Sequence, residues 1–278
     1  MNQTDELLAR LMHEPAVWVS VDSAQGSVPR EVGAWMVVFG NTVVGTVGGG
    51  HVEYEAIAVA RKRLAGDKGD RGDTGDTGDT GAAVMRFALG PSLGQCCGGV
   101  VHLRFENVSA ADRAGLTTRL QARRQPVALF GGGHVGRALV NILGTLPFSV
   151  TWIDSRDEIF PADLPDHIGC EHSDPVHLAV ADLAPQTRVL IMSFSHAEDL
   201  DVVAACLKRQ RKQGDLPYIG LIGSQTKWAT FRHRLAERGF SDAELAQVTS
   251  PIGVPGIQGK EPEVIAVAVA AQLLQSRA

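Results

Sequence analysis

Cysteine, net positive charge and long apolar runs are all scarce in this sequence, and each scarcity excludes a class of protein. Four cysteines in 278 residues (Cys96, Cys97, Cys170 and Cys206) form neither a disulfide framework nor a CxxC metal pattern. A formal net charge of -5 argues against a nucleic-acid binder held by a general basic surface. No stretch approaches the roughly 18 uninterrupted apolar residues of a membrane helix. The opening MNQTDELLARLMHE alternates acidic and apolar residues as an amphipathic helix does, and lacks the basic-then-apolar order of a signal peptide. These absences lead to the expectation of a soluble, reduced, cytoplasmic protein that uses neither membrane nor nucleic acid as partner. Its 44% hydrophobic content and its length allow two separate cores.

The pattern changes midway along the chain. Short strand-like runs at 17–21, 34–39, 42–46, 84–89 and 100–105 are punctuated by glycine-rich turns, with a helical stretch at 51–64 among them. Residues 66–81 read GDKGDRGDTGDTGDTG, a three-residue period without proline that can neither wind a collagen helix nor bury apolar area. The segment reads as a disordered acidic surface loop. A polar helix and linker at 110–125 then leads into apolar runs at 127–130, 150–153, 188–192 and 218–222. Helical stretches at 135–143, 199–211, 227–238 and 263–274 alternate with those runs. Strands alternating with helices mean a parallel sheet covered on both faces. The fold class is therefore α/β, with a doubly wound domain at 126–278 preceded by a smaller α+β domain at 1–109.

The turn Gly131-Gly132-Gly133-His134-Val135-Gly136 joins the first of these strands to a helix, the context in which GxGxxG carries chemistry. One glycine permits the tight turn, the next lets backbone amides approach a phosphate, and the third lets helix and strand pack closely. Helix N-terminal N–H groups add donors and a positive dipole end. Asp154 closes the next strand, where a Rossmann domain places its ribose-binding acid, and Arg156 two residues on can accept a further phosphate instead. His134 lies inside the turn, as a ligand contact or a helix cap.

Three N-terminal segments hold more special residues than packing requires: Gly26-Ser27-Val28-Pro29-Arg30, the run from Gly45 to Glu53 (GTVGGGHVE), and the run from Leu89 to Gly99 (LGPSLGQCCGG). Glycines bring backbone close to a ligand, Arg30 offers a charge-assisted contact, and the second segment runs through glycines into a helix like a second anion cradle. Cys96 and Cys97 are adjacent, too strained to form a disulfide and flanked by glycines. They suit a soft, sulfur-loving ligand, unless one is simply a small buried hydrophobe.

The segments GSVPREVGAWMVV, GTVGGGHVEYEA and LGPSLGQCCGG resemble the N-terminal domain of the xanthine dehydrogenase accessory proteins, the XdhC/CoxI family. PVALFGGGHVGRALVNIL, VTWIDSRDEIFP, YIGLIGSQTKWATFRHRL and PIGVPGIQGKEPEVIAVAVAAQLL resemble the Rossmann domain of the same family. The resemblance implies a non-catalytic chaperone. Such a protein binds molybdenum cofactor (molybdopterin carrying molybdenum), protects it during sulfuration and inserts it into apo xanthine dehydrogenase. It implies a cysteine desulfurase and the molybdenum-binding subunit of xanthine dehydrogenase as partners, and a homodimer. Carried over by motif, Cys96 and Cys97 become candidate contacts to molybdenum or its sulfido ligand, with Arg30, Gly49, Gly50, Glu53 and Gln95 around the cofactor. Gly131, Gly133, His134, Gly136 and Asp154 form the phosphate or nucleotide side. Two departures stand out. The family's Thr-His-x-His-x-x-Asp run reads Ser193-Phe194-Ser195-His196-Ala197-Glu198-Asp199, and a serine, Ser250, precedes Pro251 where a cysteine is expected.

The competing reading is an NAD(P)-dependent oxidoreductase built on the Rossmann turn and Asp154. A dinucleotide-responsive regulator is a third, but the sequence shows no DNA-binding element. The composition of 66–81 also yields a prediction. Exchanging the segment for a short Gly-Ser linker alters loop-closure entropy by only about 0.6 kcal/mol per halving of length, so the melting temperature should stay within a few degrees of wild type. A larger drop in a thermal melt would assign the aspartates a structural or binding role.

Overall fold

A computed structural model describes residues 3–66, 82–89, 98–121, 124–165 and 167–276. The chain divides into two compact units, 1–120 and 121–278. Most of the acidic repeat (67–81) and the stretch 90–97, with Gln95, Cys96 and Cys97, lie outside the described residues.

The first unit is built on a five-stranded antiparallel sheet in the order β3-β2-β1-β5-β4. Its strands are β1 (Ala16–Gln25), β2 (Trp35–Val38), β3 (Val43–Gly45), β4 (Ala83–Ala88) and β5 (Val100–Val108). The period-2 alternation of β1 explains the layering. Val17, Val19 and Val21 share one core with Val52, Ala56 and Ala60 of helix α2 (Gly50–Leu64). Ala16 and Trp18 point the other way, into a core with Leu7 of α1 (Gln3–Arg10), Leu11, and Leu116 and Leu120 of α3 (Arg113–Gln121). The segment read from sequence as a polar linker thus packs two leucines into the N-terminal unit.

The second unit is a six-stranded, wholly parallel sheet in the order β11-β10-β9-β6-β7-β8. The strands are β6 (Gln125–Phe130), β7 (Phe148–Asp154), β8 (Ile168–His172), β9 (Arg188–Ile191), β10 (Tyr218–Leu221) and β11 (Val248–Thr249). Counted within the unit, this is the 3-2-1-4-5-6 order of the Rossmann fold. Successive residues of β6 feed opposite faces. Val127 and Leu129 join Leu139 and Leu143 of α4 (His134–Leu143) and Val269 and Leu273 of the last helix (Pro262–Gln275). Ala128 and Phe130 join Leu200, Val203 and Leu207 of α5 (His196–Gln213) and Phe231 and Leu235 of α6 (Gln225–Glu237). Burial on both faces gives the continuous apolar runs visible in the sequence. The edge strands β8 and β11 lack such runs, and the apolar pattern does not announce them.

Arg209 of α5 fastens this layer from inside. Its side chain, 7% exposed, donates to the carbonyls of Val180 (2.8 Å) and Leu183 (2.7 Å) and to both oxygens of Asp215 (3.0 and 2.7 Å). The Arg209 guanidinium holds the Asp215 carboxyl below its ordinary value. A carboxyl whose folded pKa lies below its unfolded value stabilises the fold above the unfolded value, about 3.9 for aspartate, and loses that contribution as pH falls through the folded one. Arg209→Met should cost about 3 kcal/mol or more in urea unfolding at neutral pH, the scale of breaking a buried pair on one side. It should also flatten the acid arm of the stability–pH curve below the ordinary aspartate range. A variant within 1 kcal/mol of wild type would show that the network is dispensable.

Candidate functional site

The three N-terminal motifs meet along the loop from Gln25 to Arg30. Gly48 has φ +127°, and a Cβ there would lie 2.6 Å from Pro29 Cγ and 3.3 Å from Arg30 Cγ, so only glycine allows the second motif to press on the first. A Cβ on Gly99 would lie 2.4 Å from the Gln25 carbonyl oxygen and 2.6 Å from that of Ser27, which brings the third motif onto the same loop. The Leu89 N–H donates to the Gly99 carbonyl at 2.8 Å, closing the base of the segment that carries Cys96 and Cys97 in sequence. Open space surrounds the Cβ positions of Gly49 and Gly98. The Arg30 side chain is 37% exposed and pairs with the neighbouring Glu31 at 3.3 Å.

Glu53 acts inside this cluster. Its Oε2 accepts from the backbone N–H groups of Val47 and Gly49, both at 3.0 Å, and from the Thr46 hydroxyl, which in turn accepts from the Gly48 N–H at 3.0 Å. The carboxylate therefore takes amides that the sequence pattern offers to an external anion. The N-terminal glycine run is a loop held by its own acid, not an empty second cradle. Gly50 opens α2 with φ +67°, and the adjacent His51 pairs with Glu55 at 2.9 Å.

The other cluster lies at the C-terminal edge of the parallel sheet. Strands β6 and β9 are neighbours there whose connections leave in opposite directions, the crevice where open α/β sheets bind ligands. Gly131, at φ +123°, has no room for a side chain, since a Cβ would sit 2.0 Å from the Met192 carbonyl oxygen at the end of β9. A Cβ on Gly136 would sit 2.2 Å from the Gly131 carbonyl oxygen. Gly133 caps α4 without a side-chain hydrogen bond and faces open space, and His134 begins the helix.

Asp154, 2% exposed, has both oxygens committed: Oδ2 accepts from the Gly132 N–H (2.6 Å) and Arg156 Nη2 (2.9 Å), and Oδ1 from Arg156 N (2.9 Å) and Nε (2.8 Å). Burial pushes its carboxyl up, but the hydrogen bonds from Arg156 and Gly132 outweigh this and hold it below the ordinary value. The acid expected on a ribose instead ties the glycine turn to Arg156. The Arg156 guanidinium lies 4.6 Å from the ring centroid of Phe194. The loop after β9 is equally constrained. The Ser193 N–H donates to Asp199 Oδ1 (2.7 Å), and Lys227 Nζ donates to Asp199 Oδ2 (2.5 Å) and to the Ile222 carbonyl (2.8 Å).

Gly131, Gly133, His134, Gly136 and Asp154 thus share the Rossmann edge, while Arg30, Gly49, Gly50 and Glu53 share the N-terminal cluster. Sequence reasoning missed Phe194 and Lys227. Lys227 follows a strand end in Gly223-Ser224-Gln225-Thr226-Lys227, and Phe194 takes the place of an expected histidine. Among the described residues no group of three or more His, Cys, Asp or Glu side chains is arranged to hold a metal ion. Cys206 is buried, which pushes its thiol up to about 12, and burial also raises the Cys170 thiol. Among the described residues no helix is long and apolar enough to cross a membrane.

Comparison with known proteins agrees with this division. The family model for the XdhC Rossmann domain matches residues 127–273, and the model for the XdhC and CoxI family matches residues 9–71. The uncharacterized protein YqeB of Escherichia coli is 26% identical over 264 residues, covering 94% of this chain and 43% of its own length. The chain therefore spans less than half of that curated relative. A crystal structure from Bacillus halodurans, described as a xanthine dehydrogenase, superposes with a TM-score of 0.73 over 99% of this chain and 96% of its own, at 19% identity. At that identity the likeness speaks for the fold.

Glu53→Ala would leave two backbone donors and one hydroxyl without their acceptor. The expected loss is roughly 1–3 kcal/mol in denaturant unfolding, with Glu53→Gln, which keeps one oxygen, closer to wild type. Equal stability of all three proteins would mean that solvent satisfies the loop unaided.

Proposed function

This chain belongs to the XdhC and CoxI family, and from that premise we propose that it serves xanthine dehydrogenase maturation as a non-catalytic carrier of molybdenum cofactor. It holds the cofactor while its sulfido ligand is installed and passes it to the molybdenum-binding subunit of the apo-enzyme. In this reading a cysteine desulfurase supplies the sulfur, and the carrier works as a cytoplasmic homodimer. The observation that carries the proposal is that the second and third glycine-rich motifs both press on the first, Gly48 against Pro29 and Arg30 and Gly99 against Gln25 and Ser27, with Leu89 and Gly99 joined by a hydrogen bond.

The donor set suits the group. Molybdopterin presents a soft, dithiolene-held metal at one end and a phosphate at the other. Thiolates at Cys96 and Cys97 match the first chemically. A phosphate matches the partly exposed guanidinium of Arg30. Glycine at positions 49 and 98 leaves space where any other residue would add a side chain.

The test is equilibrium binding of molybdenum cofactor to wild type and to Cys96→Ser, Cys97→Ser and the double variant. Circular dichroism and gel filtration check that each stays folded. Serine keeps size and hydrogen bonding but is a poor soft ligand, so at least a tenfold loss of affinity and failure to activate apo xanthine dehydrogenase are expected. A folded double-serine protein that binds and delivers sulfurated cofactor normally would make the thiols structural and defeat the proposal.

A further inference from the structure

Among the described residues, the charged side chains of α5 are all matched but two. Glu198 accepts from the Ser155 hydroxyl and the Phe194 N–H, and Asp199 pairs with Lys227. Asp201 pairs with Arg238 at 2.8 Å, Arg209 with Asp215 at 2.7 Å, and Arg211 with Glu244. Lys208 and Lys212 remain, and among the described residues neither ammonium has a hydrogen-bond or ion-pair partner. They lie one turn apart on the same side of the helix, where like charges repel.

Both lysines line a groove of about 630 Å³ between α5 and the 3-10 helix Val176–Asp182. On the α5 side its wall is Asp201, Ala204, Ala205, Lys208 and Lys212, which recur at the spacing of a single helix face. From the other helix comes Leu178, an aliphatic side chain 57% exposed. Arg209 also lines the groove, but it is buried and bound to the Val180 and Leu183 carbonyls and to Asp215, so it stiffens the wall and offers no free charge. Along α5 the groove is thus neutral at the Asp201–Arg238 pair, apolar at Ala204 and Ala205, and basic at Lys208 and Lys212. From Asp201 to Lys212 the wall runs about 16 Å along the helix axis, the length of about five residues of extended chain.

We propose that this groove docks an acidic segment of a protein partner, an extended stretch that carries an apolar side chain among its carboxylates. The carboxylates reach Lys208 and Lys212, and the apolar side chain covers Leu178, Ala204 and Ala205. Charge complementarity selects this occupant. The chain as a whole has a formal net charge of -5, yet the uncommitted charges that line the groove are both positive. A compact anion would meet the lysines and leave Leu178 in water. A wholly apolar segment would cover Leu178 but desolvate two ammonium groups without a partner, which is costly. The groove contains no residue of the glycine turn or of the Cys96–Cys97 segment, so the proposal stands apart from the carrier reading.

The experiment is fluorescence anisotropy of the labelled peptide Gly-Glu-Glu-Leu-Glu-Glu-Gly titrated with the full chain. Wild type should bind it, and raising salt from about 0.05 to about 0.5 M should weaken binding, because exposed charge pairs are screened. Lys208→Glu combined with Lys212→Glu should bind it roughly tenfold or more weakly, the scale of losing two exposed ion pairs and gaining two repulsions. The same variant should acquire affinity for the peptide with lysine in place of every glutamate. Leu178→Ser, and separately the peptide with serine in place of leucine, should each weaken binding severalfold, since each removes the apolar contact. Both lysines are exposed and repel each other, so the variants should melt with wild type, and the switch to the lysine peptide is a gain that a misfolded protein would not show. The proposal is overturned if wild type does not bind the acidic peptide or if the charge-reversed protein binds it equally well. It is also overturned if a single-stranded DNA oligonucleotide of equal charge displaces the peptide, since any polyanion would then suffice.

Discussion

At the edge of the Rossmann sheet, the approach of Gly131 to the carbonyl of Met192 sets the spacing on which everything else there depends. The hypothetical Cβ at 2.0 Å from that oxygen means that the ends of β6 and β9 are as close as backbone allows. One methyl group would force the strands apart, and the hydrogen bonds of β6 with β9 would have to yield. The positive φ of Gly131 turns the chain sharply enough for α4 to begin three residues later. Gly136 completes the constraint from the helix side, where its missing Cβ lets α4 settle on the Gly131 carbonyl. Two of the three motif glycines are thus steric necessities of packing. Gly133 is not one, since nothing lies near the position of its Cβ.

Such close packing brings charge indoors, and the molecule answers each charge locally. Asp154 is buried beneath the turn and receives four donors, and Asp199 is buried behind the β9 loop and receives Lys227 and the Ser193 N–H. A buried ion pair is a weak source of net stability, because desolvation offsets most of the attraction. Its worth here is geometric. Each acid bonds a backbone N–H of a loop at the C-terminal edge of the sheet and a cation outside that loop, so the loops after β6 and β9 are held by charges that would be costly to release.

The glycine turn with its flanking strand and helix was legible from residues alone, as were the central strands, because a strand buried on both faces writes an apolar run into the sequence. The strands β8 and β11 were not. Ile168–His172 is exposed at three of its five positions, and Val248–Thr249 is two residues long, so neither has enough buried area to impose a pattern. Glu53 and Asp154 were found by position, but the internal hydrogen bonds each one makes were not. Spacing shows that an acid lies near a glycine loop, but not that the loop's own amides will claim it. Phe194 was visible only as a departure from an expected histidine, and its exposure was not, since an aromatic after a strand reads as core.

The two glycine loops look alike in sequence and differ in what fills them. In the N-terminal unit, an acid from the helix itself takes the Val47 and Gly49 amides, so those donors are spent internally. In the Rossmann unit, the equivalent acid lies one strand away, takes the Gly132 amide of the turn and is matched by Arg156, so the negative charge that would repel a phosphate is neutralised. An anion arriving at Gly133 therefore meets open backbone beside a paired acid, whereas one arriving at Gly49 meets the Glu53 carboxylate. That difference leaves the Gly133 end of the Rossmann turn uncommitted, while in the N-terminal cluster the amides of Val47 and Gly49 are taken and Arg30, partly exposed, pairs with Glu31.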